Sequence, residues 1–123
     1  MSTMKIAQEL VALCRVGKNE EALDTLFSPD VESVENMDMP GLGRVQKGLA
    51  AVKAKGAWWI ANNEVHSASV EGPYPNGDRF IVRFKYDTTF KPTGVRSTMD
   101  ETALYTVANG KIVKEEFFYP TGE

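Results

Sequence analysis

The stretch from Ser97 to Tyr119, STMDETALYTVANGKIVKEEFFY, contains the strongest local signal in the chain. Two runs rich in strand-forming residues flank Asn109-Gly110, a dipeptide that favours a two-residue β-turn. The stretch therefore predicts a β-hairpin centred on this turn. Side chains along each strand of the hairpin alternate between the two faces of a sheet, so each face can be examined separately.

Each strand of the hairpin has one more apolar face, which we expect to point into the core. Each of these faces also carries a carboxylate, and an ionisable group among apolar neighbours is unfavourable unless it is paired, neutralised or solvated. Glu101 and Glu115 are therefore candidate acid–base residues. The more apolar faces comprise Met99, Glu101, Ala103, Tyr105 and Val107 on the first strand, and Val113, Glu115, Phe117 and Tyr119 on the second.

The hairpin register decides whether these two glutamates lie together. With a strict two-residue loop, Ala108 pairs with Lys111 and Glu115 lies opposite Leu104, so the two glutamates point to opposite faces. A longer loop or a β-bulge brings them to the same face. Both registers are open at this point, and we expect the one in which both glutamates point inward.

Composition limits the class of protein. The chain has 123 residues and a formal net charge of −3, with 42% hydrophobic and 25% charged residues. We expect one domain over residues 1–123 and no nucleic-acid or membrane partner, because the chain has no basic run and no long apolar run. The single cysteine, Cys14, and the single histidine, His66, exclude an intrachain disulfide and disfavour a zinc site. No cofactor motif is present, and an N-terminus typical of a helix indicates a cytoplasmic protein.

Helix signals come first along the chain and strand signals later. With the hairpin, two preceding strands complete a four-stranded antiparallel meander. This order predicts an α+β protein, in which three helices pack on a curved antiparallel sheet and close a cone-shaped cavity. Helices are predicted from Ser2 or Thr3 to Gly17, from Asn19 to Ser28-Pro29 and over Gly48–Asn62, and strands over Val31–Asn36, Glu64–Gly72 and Arg79–Phe90.

Aromatic residues on the inner strand faces would line this cavity, and such a lining favours a small apolar or aromatic molecule as the partner. Asp38, in the loop after the first strand, is a third acid–base candidate. Ordinary alternatives exist: a solvated turn residue for Asp38, a hydrogen-bonded structural role for His66 and core packing for Trp58. The candidate lining residues are Trp58, His66, Phe84, Tyr86, Tyr105, Phe117 and Tyr119.

The opposite, outer face of the sheet mixes hydrophobic residues with threonines, lysines and other charged residues. This face is more apolar than a fully solvated face requires, so we expect a homodimer that forms through it. Its hydrophobic residues are predicted to be Ile81, Leu104, Ile112 and Phe118.

The order of elements resembles the nuclear transport factor two-like fold, which includes ketosteroid isomerase, scytalone dehydratase and the SnoaL-like polyketide cyclases. The resemblance rests on Glu21–Asn36 (EALDTLFSPDVESVEN), on Gly48–Trp59 and above all on Glu101–Tyr119 (ETALYTVANGKIVKEEFFY), which is similar to the closing hairpin of SnoaL-like proteins. It spans nearly the whole chain and implies a cone-shaped α+β roll. Because this fold hosts enzymes, binding proteins and interaction domains, the resemblance alone does not imply one function.

Ketosteroid isomerase matches this chain only in part. The isomerase has its general-base Asp after the first strand, where this chain offers Asn36 and Asp38 without the family's Asp-Pro pattern. The isomerase also uses a Tyr from the first helix, which has no tyrosine here. Glu101, or Thr102 under a one-residue shift, lies near the position of the isomerase's late-strand acid. The resemblance is therefore compatible with SnoaL-like cyclases, which need an acid–base residue and a shaped apolar pocket.

Three functions remain open. The first is a binding protein with an aromatic pocket that carries one or two carboxylates. The second is a cofactor-independent isomerase, dehydratase or cyclase that uses Asp38, Glu101 or Glu115 for proton transfer. The third is a non-catalytic dimerisation domain whose carboxylates pair with arginines or backbone amides. In the enzyme, the hydrogen-bond donor would be Tyr86, Tyr105, Tyr119 or His66.

Overall fold

Three helices and six strands follow one another along residues 2–120, the part of the chain that the computed structural model describes. The helices are α1 (Thr3–Arg15), α2 (Asn19–Leu26) and α3 (Leu49–Asn62). The strands are β1 (Phe27–Met39), β2 (Gly43–Lys47), β3 (Asn63–Asn76), β4 (Arg79–Phe90), β5 (Val95–Ala108) and β6 (Lys111–Phe118).

The six strands form one curved, open sheet in the order β2-β1-β6-β5-β4-β3. β3 to β6 are the predicted meander, because each strand pairs antiparallel with the next. β1 pairs in parallel with β6 and antiparallel with β2, so the sheet is mixed. The predicted α+β class with three helices is confirmed. The sheet differs from the predicted antiparallel arrangement at one strand pair, because β1 lies parallel to β6 and satisfies its backbone hydrogen bonds there.

β1 is much longer than the predicted strand Val31–Asn36. It covers 13 residues, and Met39 pairs back with Gly43 of β2. Most of the predicted loop after the first strand is therefore a β-hairpin. The polar sequence of this region has weak strand propensity, and its position between two partner strands overrides that propensity.

Two of the three helices begin where the sequence predicts. The Ser2 side-chain oxygen accepts a hydrogen bond from the Lys5 backbone N–H at 3.1 Å, and so caps α1. α3 begins directly after Gly48, whose φ of +90° lies in the region that favours glycine. Asn19 was predicted to cap α2 but is its first helical residue, and no side chain caps this helix.

The turn of the β5–β6 hairpin forms as the sequence predicts. Asn109 and Gly110 have φ values of 52° and 75°, and two positive φ values are what a type I′ turn requires. Ala108 pairs with Lys111 on either side of this turn. The two-residue loop is thus confirmed.

A β-bulge then changes the register. Val107 pairs with Ile112, but the next pair joins Thr106 to Lys114, so Val113 has no partner on β5. An extra residue of this kind reverses the facing of every side chain beyond it relative to an unbulged strand. The bulge therefore decides which face the second half of β6 presents to the core.

Glu115 points to the inner face because of this bulge. It pairs with Tyr105, and Glu101 lies on the same face four residues away on β5. The register that brings both glutamates together is the one that forms. Ile112, predicted for the outer face, is completely buried, because it pairs with the inward-facing Val107.

The hydrophobic core lies between the inner face of the sheet and the helices. Residues of α1, α2 and α3 pack there against alternate residues of β4, β5 and β6. Its fully or almost fully buried members include Ile6, Leu10, Leu26, Val31, Phe80, Val82, Ala103 and Ile112.

Candidate acid–base site

Three neighbouring rows of residues cross the inner face of the sheet. Residues that pair across strands point to the same face, so the strand register defines these rows. Glu115 lies in the first row and Glu101 in the third. The rows are Phe80–Tyr105–Glu115–Ser33, then Val82–Ala103–Phe117, then Val70–Phe84–Glu101.

Lys55 extends from α3 into these rows and is only 7% exposed. Its Nζ donates a hydrogen bond to Ser33 Oγ and lies 3.3 Å from Glu35 Oε1. The same ammonium lies 5.0 Å from the centre of the Phe117 ring, within the range of a cation–π contact. A carboxylate, a hydroxyl and an aromatic ring thus fix one buried positive charge.

Ser33 connects this ammonium to a second carboxylate. The Ser33 hydroxyl is completely buried and donates a hydrogen bond of 2.8 Å to Glu115 Oε1. A serine hydroxyl has a single proton, so with Glu115 as its acceptor it accepts from Lys55. The result is a directed chain from the ammonium through the hydroxyl to the carboxylate.

Burial raises the pKa of Glu115 above its ordinary value, because desolvation disfavours the charged form. The charge of Lys55 and the hydrogen bond from Ser33 act in the opposite direction, and the charge of Glu35 adds to the increase. Glu115 is thus a buried carboxyl group whose charge depends on two neighbours.

Glu101 has a raised pKa for a related reason. Burial and then the charge of Glu35 raise its pKa from 4.5 to about 7, with Lys55 lowering it and Glu115 raising it further. No ion pair or side-chain hydrogen bond involves Glu101 within residues 2–120. A carboxyl group of this kind can both accept and release a proton near neutral pH.

Aromatic side chains surround Glu101. Phe84 pairs with it across β4 and β5, and the Phe84 ring stacks on Tyr86 with 6.1 Å between ring centres. Trp59 of α3 covers Tyr86 at 5.3 Å. Burial raises the pKa of Tyr86, and the charge of Glu101 raises it further, so this phenol keeps its proton and is available as a hydrogen-bond donor.

The same effects act on two further tyrosines. Burial, followed by the charge of Glu115, raises the pKa of Tyr105. Burial, followed by the charge of Glu35, raises the pKa of Tyr119. Phe80 stacks on Tyr105 at 5.0 Å and helps to enclose this end of the site.

The site is accessible only at its Glu101 end. Glu115, Ser33 and Lys55 are buried, and so are Val70 and Phe84 in the same row as Glu101, whereas Glu101 itself is half-buried. A molecule approaching from solvent would therefore meet Glu101 before it met Glu115. The half-buried residues at this end are Trp59, Tyr86, Met99, Glu101 and Tyr119.

Three predicted site residues lie elsewhere. Asp38 is exposed near the end of β1 and makes no ion pair or hydrogen bond with this group of residues in the described chain. His66 is exposed, and its Nε2 lies 2.7 Å from Thr89 Oγ1, which fits the structural alternative. Trp58 is half-buried against Phe90, with ring centres 6.3 Å apart, whereas Trp59 is the tryptophan next to Tyr86.

The site also contains Lys55, Ser33 and Glu35, which were not among the residues predicted from the sequence. A signal for Lys55 was present, since it lies three residues after Val52 and four before Trp59, on one side of α3. Ser33 and Glu35 alternate with Val31 along β1, which places all three on one strand face. A lysine and a glutamate on otherwise apolar faces are the same anomaly that identified Glu101 and Glu115.

The raised pKa of Glu101 makes stability depend on pH. The folded protein holds this proton up to about pH 7, whereas an unfolded chain releases it near pH 4.5. The free energy of unfolding should therefore fall by about 2 kcal/mol between pH 5 and pH 8. Urea unfolding across this range measures the slope, and Glu101→Gln should flatten it. A stability that rises with pH over this interval would contradict the raised pKa.

Two open depressions lie outside the group of buried charges around Lys55. One, on the outer face, has a volume of about 190 Å³ and includes Tyr74, Ile81 and Leu104. The other, of about 580 Å³, lies where Lys85 and Asp100 of the outer face meet Tyr86 and Met99 of the half-buried end. Neither lining includes Glu101 or Glu115, so the predicted internal cavity is not among these depressions.

A metal-binding group of side chains and a membrane-spanning helix are both absent from residues 2–120. No group of three or more His, Cys, Asp and Glu side chains there is arranged to hold a metal ion. No helix in the same part of the chain is long and apolar enough to cross a membrane.

Comparison with solved structures gives many similar proteins. A candidate SnoaL-like polyketide cyclase from Mesorhizobium loti is 47% identical, with a TM-score of 0.91 over 97% of this chain and 100% of that one. A protein of ketosteroid isomerase-like fold from Catenulispora acidiphila, in complex with trimethylamine, is 22% identical, with a TM-score of 0.71 over 94% and 85% of the two chains. TerC, co-crystallised with polyporic acid, is 24% identical, with a TM-score of 0.74 over 97% and 92%.

A protein-family model also matches this chain. The model of the SnoaL-like domain matches residues 1–119, which is nearly the entire sequence. No curated protein matches the chain. The cystatin-like or nuclear transport factor two-like fold of the similar structures agrees with the resemblance noted in the sequence. The chain belongs to the SnoaL-like domain family.

Proposed function

We propose that the protein binds a small apolar or aromatic molecule at the half-buried end of the inner face, and that Glu101 exchanges a proton with it. In this proposal the chain is a single-domain, cofactor-independent enzyme of the isomerase, dehydratase or polyketide cyclase type. The observation that carries the proposal is the position of Glu101, a half-buried carboxyl group with aromatic neighbours and no ion-pair partner in the described chain, where burial raises its pKa to about 7. General acid–base catalysis is most efficient when the pKa lies near the working pH.

The surroundings of Glu101 supply the other parts of such a site. Tyr86 and Trp59, which are half-buried, offer apolar surface for a flat ligand, and the Tyr86 hydroxyl offers a donor. The Catenulispora acidiphila protein and TerC, which share this fold, were crystallised with small organic molecules, and this supports a small molecule as the proposed ligand.

A purely structural role for the inner carboxylates has less support. In that role, arginines would neutralise Glu101 and Glu115. Arg83 and Arg96 instead form two-pronged ion pairs with Asp100 and Asp87 on the outer face. The charge of Lys55 lowers the pKa values of Glu101 and Glu115, but burial outweighs this effect, so both pKa values remain raised.

Native mass spectrometry tests the binding proposal. Freshly purified protein, with a panel of hydroxylated aromatic ketones added, should show a bound species that denaturation releases. Met99→Arg places a long charged side chain at the half-buried end and should abolish the bound species. Thr98→Arg, which changes the neighbouring residue on the outer face, should retain it. No bound species with any compound at millimolar concentration would contradict the proposal.

We also propose that two copies of the chain associate through the outer face of the sheet. One row of side chains crosses all six strands on this face and is apolar apart from Glu116, which pairs with Lys114 at 2.8 Å. Phe118 lies beside this row and is 48% exposed. The row comprises Val45, Val34, Glu116, Leu104, Ile81 and Tyr74.

Light scattering at micromolar concentration tests this association, and the wild type should have the mass of a dimer. Ile81→Asp places a charge at the centre of the apolar row and should give a monomer. Val16→Asp changes a residue that is 67% exposed at the end of α1 and should leave the dimer intact. A monomeric wild type would count against the dimer without affecting the proposed chemistry.

A further inference from the structure

The buried charges of the inner face do not balance. Glu35, Glu101 and Glu115 are three carboxyl groups near one ammonium, that of Lys55. Three ionised carboxylates in a desolvated site would repel one another, so a proton must be held by one of them. The contacts of Lys55 indicate which carboxyl group holds it.

Lys55 interacts with two of the three carboxyl groups, one directly and one through a hydroxyl group. Its ammonium is 3.3 Å from Glu35 and is joined to Glu115 through the Ser33 hydroxyl. The Phe117 ring confines it from a further side. Glu101 receives no direct contact of this kind in the described chain and feels Lys55 only as a charge at longer range.

The direction of the hydrogen bonds reinforces this difference. While Glu115 is ionised, the single proton of Ser33 points toward it and the Lys55 ammonium satisfies the Ser33 oxygen. Protonation of Glu115 would weaken this order, because a neutral carboxyl oxygen accepts a weaker hydrogen bond from Ser33 than a carboxylate oxygen does. The chain of hydrogen bonds therefore favours the ionised form of Glu115 and leaves Glu101 as the group that takes up the proton.

We propose that Lys55 is a positioning residue that acts through Ser33 to keep Glu115 ionised, and by its charge sets the proton occupancy of Glu101. This inference deepens the proposed function, since it names the residue that adjusts the acid–base group. Other ionisable groups face the same space, and the variants described below leave these groups unchanged. They are Cys14 of α1, Glu35 of β1, Tyr86 of β4, Tyr105 of β5 and Tyr119 just beyond β6.

The test is a carbon-13 NMR titration of the glutamate carboxyl groups, which requires no ligand. Lys55→Met keeps the length of the side chain and removes its charge. It should raise the titration midpoints of both Glu101 and Glu115 by about one pH unit or more. Ser33→Ala should raise the midpoint of Glu115 and leave that of Glu101 within about a few tenths of a unit.

Two variants serve as controls for charge and for position. Lys55→Arg retains a positive charge and should keep the Glu101 midpoint close to that of the wild type. Lys53→Met removes an exposed lysine of the same helix, which pairs with Asp24, and should change neither midpoint. An unchanged Glu101 midpoint in Lys55→Met, or equal shifts of both glutamates in Ser33→Ala, would overturn the proposal.

The wild type provides a second measurement if Lys55→Met fails to fold. The nitrogen-15 shift of Lys55 Nζ should show an inflection at the midpoint of Glu101, because coupling between two titrating groups is reciprocal. A Lys55 shift that is flat across the Glu101 midpoint would overturn the proposal. Absence of any bound ligand in mass spectrometry would count against the proposed function and leave these titrations unaffected.

Discussion

Replacing Glu101 with glutamine is expected to slow the proton-transfer reaction by about 10²–10⁴-fold, the usual contribution of a positioned general acid or base. Glutamine has nearly the same shape but neither accepts nor releases a proton near neutral pH. The measurement is deuterium uptake from D2O at the C–H next to the carbonyl of an aromatic ketone that the protein binds. If Glu101 acts as a base, wild-type kcat/KM should rise as the pH increases through about 7.

Asp38→Asn is the matched control for this experiment. Asp38 is a carboxylate that the sequence equally nominates, but it is exposed near the end of β1. Its amide variant should therefore retain wild-type activity. Full activity in Glu101→Gln, or a loss in Asp38→Asn that matches it, would remove Glu101 from the proposed chemistry.

Lys55→Ala is expected to destabilise the folded protein by about 3–5 kcal/mol at pH 7.5, as for other buried ion pairs that lose one partner. The substitution leaves Glu35 and Glu115 without their shared ammonium and removes the cation–π contact with Phe117. The cost should shrink at pH 5, because carboxyl groups with raised pKa values take up protons there and the repulsion disappears. Urea unfolding at both pH values measures the difference.

Lys53→Ala is the control for this change. Lys53 lies on the same helix and pairs with Asp24, but both side chains are well exposed. Exposed pairs contribute little to stability, so this variant should unfold almost as the wild type does at either pH. A Lys55→Ala protein as stable as Lys53→Ala at pH 7.5 would show that the buried ion cluster is unimportant for stability.

The sequence predicted the fold where local signals agreed with tertiary contacts. Asn109-Gly110 formed the predicted turn, and the alternation of β4 and β5 placed Phe84 and Tyr105 inside. Where long-range pairing decided the outcome, the prediction failed. β1 is a long strand because β6 and β2 pair with it on either side, and nothing in its own sequence requires that.

Sequence alone could not decide the hairpin register. The bulge at Val113 turns Ile112 and Glu115 to the same inner face, although they are three residues apart. A valine carries no specific signal for a bulge. Glu101 and Glu115 were nominated from their apolar neighbours, and the bulge is the reason that both point to one space.

The burial of Lys55 could not be predicted from its residue type. Lys55 lies on the packed side of α3, but a lysine in a helix is usually solvated, since its long stem carries the charge to water. It is buried here because Ser33, Glu35 and Phe117 provide contacts from strands distant in sequence. Those partners become apparent only when β1 lies beside β6.

A pH titration of the Glu101 carboxyl carbon by NMR would show whether the inner face holds a carboxyl group that exchanges protons near neutral pH. The Glu101 midpoint should lie near 7, well above the ordinary 4.5. A midpoint near 4.5 would contradict this expectation, because the group would then be a solvated carboxylate with no special role in acid–base chemistry.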